Sequence, residues 1–385
     1  MNNLHISLTE FRNESRVIKE TSSLIQAGIF EHVYIAALHT DGLKENENID
    51  KSISVKRFAI VSRKLGLSFL MQLVKYIELS FRLFFYYRKK DIKVINIHAL
   101  ALLPLGIILK RLFKTKLVYD AHELETEKNG LTGFRQKISK LIERRLIKQV
   151  DFTIVVGENI ADWYASEYDI PRPIVVLNAP FKRELSYKNL FRENLNIRSD
   201  QKILLYQGGL AKGRGTHYIL DAFKERKDDK VVAVFMGYGE LEKEIKDAAQ
   251  KYPNIYFFPA VKPDVVLNYT SSADIGISLI ENTCLSYYYC MPNKLFEYAM
   301  AGIPVIASNM KDMSEFITKN NIGTVITDFS PKGVNKSIDS LLDQNLSELK
   351  HNAYVAACNH SWEHQEIKMI DAYKKLLNIE PNHEQ

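Results

Sequence analysis

Short apolar runs alternate with longer amphipathic stretches along most of this sequence. The apolar runs are rich in β-branched residues, and a run such as Val231–Met236 is apolar on both faces of an extended chain. The predicted strands are Val33–Ala37, Val94–His98, Lys116–Tyr119, Phe152–Val156, Ile174–Leu177, Ile203–Gln207, Val231–Met236, Ile255–Pro259, Ile275–Leu279, Pro304–Ala307 and Gly323–Ile326. Helical patterns such as Glu240–Lys251 lie between them. This alternation predicts a doubly wound α/β architecture.

The alternation is interrupted once, between Asn178 and Lys202, by a polar and irregular segment. A chain of 385 residues has room for two domains of about 100–200 residues each. We therefore predict two Rossmann-like domains, over residues 1–180 and 181–360, that face a cleft suited to a ligand. Residues 361–385 are predicted to form a C-terminal helix that can cross back to the first domain.

The composition is that of a globular protein. With 46% hydrophobic and 25% charged residues, a wholly disordered or fibrous chain is excluded. Three cysteines are an odd number, so we expect no disulfide framework and a reducing, cytoplasmic compartment. The N-terminal residues lack the basic and apolar regions of a signal peptide. The longest uncharged run, Val94–Leu109, is shorter than the ~20 residues of a membrane-spanning helix.

Charge is distributed unevenly along the chain. Residues 51–150 contain 22 basic and 7 acidic side chains, although the net charge of the whole chain is only +6. Such a region predicts an anionic partner: nucleic acid, a phosphorylated substrate or a membrane surface. Arg63–Lys90 and Leu109–Lys116 mix basic, aromatic and apolar residues, which is typical of interfacial membrane binding and also of helices packed on a sheet. Nucleic-acid binding is not expected, because its recognition motifs are absent.

Two glycine-rich turns follow predicted strands of the second domain. In Tyr206–His217, glycines would let the backbone approach an anion and two cations suit phosphate: Gly208, Gly209, Gly213, Gly215, Lys212 and Arg214. The second turn, Met236–Glu242, places Gly237 at the carboxyl edge of the sheet, where ligands of such folds bind. A plain structural turn is the alternative for both, and it is the better explanation of the second.

A third segment, Glu281–Ser308, predicts a short helix between Pro292 and Gly302. Lys294 and Glu297 fall within its first two turns. A buried Glu297 could accept the two hydroxyls of a ribose diol, or it could simply favour the positive end of the helix.

The fourth candidate lies at the carboxyl end of the strand Lys116–Tyr119. Asp120, His122 and Glu123 are three titratable residues within four positions. Such clusters are candidates for substrate contact or proton handling. A single histidine at a strand end is more often structural, but the triplet favours a functional role.

These motifs, in this order, resemble those of retaining glycosyltransferases of the GT-B fold, family 4. The resemblance rests mainly on Pro292–Tyr298 followed by Ala301–Ala307, and it extends over nearly the whole chain. It implies transfer of a sugar, with retention, from a UDP- or GDP-linked donor to a saccharide or lipid-linked acceptor in cell-surface polysaccharide synthesis. The cysteine count and the basic region separately predict a cytoplasmic protein that can be peripheral on the inner face of the membrane, where the basic region meets anionic lipid.

The resemblance assigns donor binding mainly to the second domain. Glu297 would hold the ribose, Arg214 the diphosphate, and the backbone at Val261 the nucleobase. The full set of donor-binding candidates is Gly208, Gly209, Lys212, Arg214, Gly237, Val261, Tyr289, Met291, Pro292, Asn293, Lys294 and Glu297. We expect neither a metal nor another cofactor, because no Asp-x-Asp triplet is present and local cations can neutralise the diphosphate.

Acceptor binding is assigned to the first domain. Its candidates are Arg12, Arg16, Asp120, His122 and Glu123. The catalytic candidates of the two domains together are His122, Arg214 and Lys294. Arg12 and Arg16 stand where the family has a glycine-rich acceptor loop, and salt bridges on an exposed face are the alternative for them.

Two positions depart from the family pattern. Tyr289 stands where the first acid of a Glu-x7-Glu pair is expected, and Gly209 stands where an arginine is usual. These departures keep two other functions open: a sugar-nucleotide epimerase of GT-B type, and a catalytically degenerate transferase that acts as a binding subunit.

Overall fold

The structure is a computed structural model that describes residues 1–12, 14–64, 66 and 69–379. The chain divides into two compact units. The first comprises Met1–Val176 together with the described residues from Glu366 onward, and the second comprises Leu177–Gln365. Of the segments singled out above, Leu65, Leu67 and Ser68 in Arg63–Lys90 and residues 380–385 of the predicted C-terminal helix lie outside the described residues.

The first unit is built on an eight-stranded sheet with the strand order β3-β4-β2-β1-β5-β6-β7-β8. Its strands are β1 (Asn2–Ile6), β2 (His32–Leu38), β3 (Asn46–Asn48), β4 (Ile53–Phe58), β5 (Ile92–Ile97), β6 (Lys116–Ala121), β7 (Phe152–Val155) and β8 (Ile174–Val175). Neighbouring strands are parallel except for β3, which pairs antiparallel with β4 at the edge. The pattern of apolar runs missed β1, β3 and β4. In β1 the reason is that Asn3 and His5 interrupt the apolar residues, although both are buried.

Helices cover both faces of this sheet. They are α1 (Ser15–Gln26), α2 (Phe69–Tyr87), α3 (Leu103–Phe113), α4 (Gly133–Leu146) and α5 (Glu158–Tyr168). The connections that contain α2, α3, α4 and α5 all advance in the same direction across the sheet, from β4 towards β8. Right-handed crossovers therefore place these four helices on one face. The connection through α1 runs in the opposite direction, so α1 lies on the other face.

The second unit contains a six-stranded parallel sheet with the order β11-β10-β9-β12-β13-β14. Its strands are β9 (Lys202–Gly209), β10 (Val231–Tyr238), β11 (Ile255–Pro259), β12 (Ile275–Ser278), β13 (Val305–Ser308) and β14 (Gly323–Ile326). Its helices are α6 (Leu190–Leu195), α7 (Thr216–Glu225), α8 (Glu242–Ala249), α9 (Val266–Thr270), α10 (Leu285–Tyr288), α11 (Asn293–Met300), α12 (Lys311–Asn320), α13 (Pro331–Leu342) and α14 (Leu346–Asn359). One core cluster joins strand residues such as Leu204 and Phe235 to helix residues such as Ile219 and Val334. The prediction of two Rossmann-like α/β domains is confirmed.

The last helix, α15 (Trp362–Leu377), begins in the second unit and ends in the first. The backbone N–H of Trp362 donates to the carbonyl of Pro180 at 2.9 Å. Further along, Tyr373 is fully buried between Phe30 and Phe152, and its hydroxyl accepts a hydrogen bond from Asn96. The second half of α15 thus completes the core of the first unit.

Each sheet has a point at which the chain reverses its direction of winding. It lies between β1 and β5 in the first sheet and between β9 and β12 in the second. Ligands of open α/β sheets bind at the carboxyl ends of strands that flank such a point. The loops after β1, β5, β9 and β12 are therefore the first places to look for a site, and those after β6 and β10 lie next to them in the sheets. Over the described parts of the chain, the helices are too short or too polar to cross a bilayer.

Candidate functional site

The carboxyl ends of β9 and β10 bring two glycines into direct register. Gly208 has φ +120°, a conformation that favours glycine, and it is the register partner of Gly237. A Cβ atom on Gly237 would lie 1.9 Å from the Gly208 carbonyl oxygen, so no side chain fits there. The result is an edge at which bare backbone can come close to a ligand.

Two cations lie at this edge without a carboxylate partner in the described part of the chain. Lys294, in the first turn of α11, places its ammonium 3.9 Å from the centre of the Tyr206 ring and lies beside Gly208. The Arg214 guanidinium lies 5.0 Å from the centre of the Tyr287 ring. An aromatic face stabilises a cation without neutralising it. Both charges thus remain available to an anion.

Glu297 is held in place by the strand beside it. The Gln207 side-chain amide donates to the Glu297 carboxylate, and its oxygen accepts from the Thr270 hydroxyl at 2.8 Å. The backbone N–H of Gln207 also donates to the Tyr298 hydroxyl at 3.0 Å. Because α11 begins at Asn293, Glu297 is outside the first turn, where the helix dipole acts. A dipole role for this half-buried carboxylate is therefore weak, and its fixed orientation suits recognition of hydroxyls.

The remaining donor-side candidates lie around this edge. Val261 follows β11 and is half-buried, and Tyr289 follows α10 with its ring 5.1 Å from that of Tyr288. Lys212 is exposed, and its backbone N–H donates to Glu240 at 2.9 Å. Gly209, Met291, Pro292 and Asn293 complete the set, with Pro292 capping α11 rather than lying within its first turn. These assignments of donor contacts stay predictions.

Cys290 is a thiol close to Arg214, so its protonation state affects the charge around the arginine. Burial raises its pKa to about 12, although the nearby Arg214 charge acts in the opposite direction. Cys290 is therefore a neutral thiol at physiological pH and does not compete with a ligand for the arginine. Its sulfur lies 3.7 Å from that of Met313.

In the first unit, the candidate cluster is centred on Asp120 at the end of β6. Its Oδ2 atom lies 2.9 Å from His122 Nε2 and 3.1 Å from His98 Nδ1. His98 Nε2 in turn lies 2.9 Å from His5 Nδ1. These residues come from the loops or ends of β1, β5 and β6, so the winding of the sheet brings them together.

Arg16 also belongs to this cluster. Its guanidinium donates to both oxygens of Asp120, at 2.8 and 3.0 Å, and to the Val176 carbonyl at 2.7 Å. It also lies 2.9 Å from Glu20, one turn along α1. We had expected Arg16 beside an anionic acceptor, but only 6% of its side chain is exposed. The structure instead places this guanidinium in an internal ion-pair network, and Arg12 is the exposed cation of the pair.

Burial and Arg16 together set the protonation states. Burial would raise the pKa of Asp120, but Arg16 and the His122 and His98 hydrogen bonds hold it well below its usual range. Burial lowers the pKa of both His5 and His98, so both are neutral. Burial and the charge of Asp120 raise the pKa of Glu20 well above its usual range. The cluster thus has one firm ion pair, between Arg16 and Asp120.

This arrangement assigns a tautomer to His122, the one member of the cluster with a third of its side chain exposed. Because Nε2 faces the ionised Asp120, Nε2 carries the proton and donates it. Nδ1 of a neutral His122 is then a hydrogen-bond acceptor. Such an atom can receive a hydroxyl hydrogen from a bound substrate.

The other acceptor-side candidates are held by ion pairs. Glu123 lies 3.3 Å from Lys128, which also contacts the buried Glu125 at 3.0 Å. Arg12 pairs with Glu10 at 2.8 Å. Sequence reasoning missed His5, Glu20 and His98, and a correct prediction of β1 would have indicated the first of them.

Two triads of the described residues hold ligand atoms within 4.8 Å of one another: His5 with Glu20 and His98, and His98 with Asp120 and His122. The Arg16 guanidinium contacts the acid of each triad, Glu20 in the first and Asp120 in the second, and pairs with the ionised Asp120. The donor set is therefore already engaged by a cation. That no metal is needed stays a prediction.

Two family models match this chain, one along each unit. The Glycosyltransferase Family 4 model matches residues 15–180, and the model described as Glycosyl transferases group 1 matches residues 188–359. Together they span most of the sequence.

Two curated proteins match over about half of their lengths. Spore coat protein SA of Bacillus subtilis is 26% identical over 46% of this chain and 49% of its own. The lipopolysaccharide 1,2-N-acetylglucosaminetransferase of Salmonella typhimurium is 28% identical over 45% of this chain and 48% of its own. The chain thus spans about half the length of these relatives.

Solved structures match along the whole chain. Sucrose-phosphate synthase from Thermosynechococcus elongatus has a TM-score of 0.81 at 16% identity, covering 99% of this chain and 100% of its own. The Anabaena protein HepE, solved in complex with UDP-glucose, has a TM-score of 0.72 at 14% identity, covering 98% and 99%. At such identities these likenesses establish the fold. With a family model matched to each unit, the chain belongs to the family 4 glycosyltransferases of the GT-B fold.

Proposed function

We propose that this protein transfers a sugar from a nucleoside-diphosphate sugar to a saccharide or lipid-linked acceptor, with retention of configuration. The observation that carries the proposal is the edge formed by Gly208 and Gly237, where Lys294 and Arg214 lie without carboxylate partners in the described part of the chain. A diphosphate supplies the negatively charged partner for these two cations. HepE, which shares the fold, was solved with UDP-glucose, which supports a UDP-linked donor.

The chemistry needs a site that stabilises charge on the departing diphosphate. As the bond between sugar and phosphate breaks, negative charge grows on the leaving oxygen, and Arg214 and Lys294 are cations already in place to stabilise it. Glu297, oriented by Gln207, would accept the ribose hydroxyls and fix the nucleotide. We propose that these protein cations meet the electrostatic need without a divalent metal.

His122 supplies the acceptor side of the proposal. With Nε2–H donating to Asp120, its Nδ1 can accept the hydrogen of the attacking hydroxyl or hold a sugar hydroxyl in position. Asp120, in turn fixed by Arg16, keeps the imidazole in this tautomer. The role of the aspartate is to orient the histidine.

We also propose a setting for the reaction. The likeness to the Salmonella lipopolysaccharide transferase supports synthesis of a cell-surface polysaccharide. The basic region of the first unit supports a cytoplasmic protein that is peripheral on the inner face of the membrane.

Titration of the purified protein with UDP, GDP and their sugars tests the donor assignment. We expect saturable binding and slow release of the nucleoside diphosphate by donor hydrolysis. Glu297→Ala should weaken nucleotide binding at least tenfold, because the ribose contact is lost. Glu315→Ala, at an exposed carboxylate of the same unit, is the matched control. Failure of every nucleotide to bind would reject both transfer and epimerisation.

Release of the nucleoside diphosphate also separates the two enzymatic alternatives, because epimerisation leaves the donor intact. Binding without release in the presence of any acceptor would instead favour a degenerate transferase. Activity that survives chelation of divalent metals would support the roles given to Arg214 and Lys294.

A further inference from the structure

One face of the first unit exposes apolar residues in helical stripes. On α2, a stripe at spacings of three and four residues points to solvent: Leu70, Leu73, Val74, Ile77, Phe81 and Phe85. The opposite side of the same helix, with Leu79, Leu83 and Tyr87, is buried. The core therefore accounts for one apolar side of α2 and leaves the other unexplained.

The neighbouring helices continue this pattern. On α3, Ile108 and Leu112 are exposed one turn apart. On α4, the exposed apolar residues are Phe134, Ile138, Leu141 and Ile142, and Phe134 is 76% exposed. Most of the exposed large apolar side chains in the described residues belong to these three helices. Soluble monomers rarely leave contiguous apolar surface of this extent without a binding role.

Contacts between the helices make the surface continuous. Phe84 of α2 stacks on Phe113 of α3, with ring centres 5.7 Å apart. Lys110 and Arg111 of α3 both reach Gln149, just beyond α4. The direction of the crossovers independently places all three helices on one face of the sheet. We call the exposed side of α2, α3 and α4 the basic apolar face.

The exposed charged side chains of α2, α3 and α4 are cations. α3 carries no acidic residue, and Glu143, the single acid of α4, is fully buried under three tyrosine hydroxyls. Glu78, the acid of α2, is bonded to Arg82 and to the backbone of Val61 and Ser62. The exposed cations are Arg88, Lys89, Arg111, Lys114, Arg135, Lys137, Arg144, Arg145 and Lys148, of which Arg144 and Lys148 pair with Glu167 and Asp169.

We propose that the basic apolar face docks onto a bilayer that contains anionic lipid, with the aromatic and aliphatic side chains inserted among the headgroups. Apolar side chains inside a ring of lysine and arginine match the two components of an anionic interface, hydrocarbon and negative charge. A second copy of this chain would bring the same cations against each other, which disfavours self-association through the face. The docking rests on the proposed function only in that the acceptor is then supplied by the same membrane.

Vesicle flotation of the full chain tests this proposal without any assay of catalysis. The probes are vesicles of pure phosphatidylcholine and vesicles of equal parts phosphatidylcholine and phosphatidylglycerol. We expect binding to the anionic vesicles only, and release at about 1 M salt, where screening shortens the Debye length to ~3 Å.

Two variants test the two components of the face. Arg135→Glu, Lys137→Glu and Arg145→Glu combined should weaken binding at least about a hundredfold, because each cation near an anionic surface contributes about fivefold. Phe81→Glu, Leu112→Glu and Phe134→Glu combined should remove the inserted groups and abolish binding. The matched controls are Lys227→Glu, Lys251→Glu and Lys319→Glu combined, on exposed cations of the second unit, and Ile367→Glu, on an exposed apolar residue of α15.

Every other result overturns the proposal. Equal binding to both vesicle types, or binding indifferent to salt and charge reversal, would show nonspecific adsorption. A dimer in solution that the Phe81 variant converts to a monomer, without vesicle binding, would show that a second copy occupies the face. Nucleotide titration of the same variants separates failure of the docking proposal from failure of the proposed function. Docking can fail while donor binding persists, and donor binding can fail while docking persists.

Discussion

The two polar clusters differ in how their charges are balanced. In the first unit, the Arg16 guanidinium is buried and fully engaged by Asp120, Glu20 and a backbone carbonyl. In the second, Arg214 and Lys294 rest against aromatic rings and meet no carboxylate in the described residues. The cation of the first cluster is therefore paired inside the protein, whereas the two cations of the second have no such pair among the described residues. In the first unit, ion pairs formed on folding hold His122 in place through Asp120. In the second, the charges of Arg214 and Lys294 are left for the proposed binding of an anion.

The largest effect that follows concerns the folding of the first unit. Arg16→Ala leaves the Asp120 carboxylate buried and unpaired, which should lower the free energy of unfolding by about 3–5 kcal/mol. Urea unfolding followed by tyrosine fluorescence measures the change. Arg12→Ala is the control, because its exposed pair with Glu10 is screened by solvent and contributes little. Equal effects of the two variants would refute the contrast between the clusters.

The second effect concerns catalysis and leaves folding intact. Arg214→Ala should lower kcat/KM for nucleoside-diphosphate release by about 10²–10³, because the arginine is expected to act on charge that develops in the transition state. Its urea midpoint should remain within the error of the unmodified protein. Arg198→Ala, an exposed arginine paired with Asp200 and Asp229, should keep full activity. A destabilised Arg214 variant with normal kcat/KM would reverse the assignment.

The third effect is a pH dependence confined to the first unit. Burial raises the pKa of Glu143 to about 7, despite hydrogen bonds from Tyr168 and Tyr119. Because this folded pKa exceeds the unfolded value near 4.3, the stability that Glu143 contributes is full below pH ~4 and falls as pH rises towards 7.

Glu143→Gln should remove that loss, since glutamine does not ionise. Between pH 5 and 7, its free energy of unfolding relative to the unmodified protein should rise by about 1 kcal/mol per pH unit. Urea unfolding at several pH values gives the difference. Glu158→Gln, at an exposed carboxylate, should show no such trend. A constant difference for Glu143→Gln across this range would contradict the role of burial.

The smallest effect tests a departure from the family pattern. Tyr289→Phe removes one hydroxyl that can contact the donor, and a single hydrogen bond contributes about 1 kcal/mol. We therefore expect donor KM to rise about fivefold with kcat unchanged. Tyr288→Phe, at the adjacent position, should leave both constants unchanged. A large fall in kcat would instead give Tyr289 a role in the chemical step.

The sequence predicted the fold well where the buried residues of an element are all apolar and its ends are marked by proline or glycine. Strands such as Val231–Tyr238 are apolar on both faces, and the helix between Pro292 and Gly302 has clear limits, so both were found. The missed strand β1 alternates Asn3 and His5 with apolar residues, and its polar side chains are buried because a functional cluster lies at its end. Pattern analysis failed there because a buried polar residue cannot be told from an exposed one in the sequence.

The candidate site could be predicted only in part, for a physical reason. The glycines and cations of Tyr206–His217 are close together in the sequence and follow a predicted strand. They therefore predict a turn whose backbone can approach an anion. Arg16 and Asp120 lie far apart in the sequence, so their ion pair depends on sheet topology that no local pattern contains. The same holds for Gln207, whose amide orients Glu297 from another element. Which of these residues contact substrate stays a prediction.

The route of α15 has a consequence for how the protein is made. The first unit buries Tyr373 in its core, yet the ribosome delivers this residue only after the whole of the second unit. At about 5–20 residues per second, the sheet of the first unit waits roughly ten to forty seconds for its last helix. The second unit is synthesised during that interval, so both units receive their last residues almost together. Until then the nascent first unit has an open core, and it is the species that chaperones would meet.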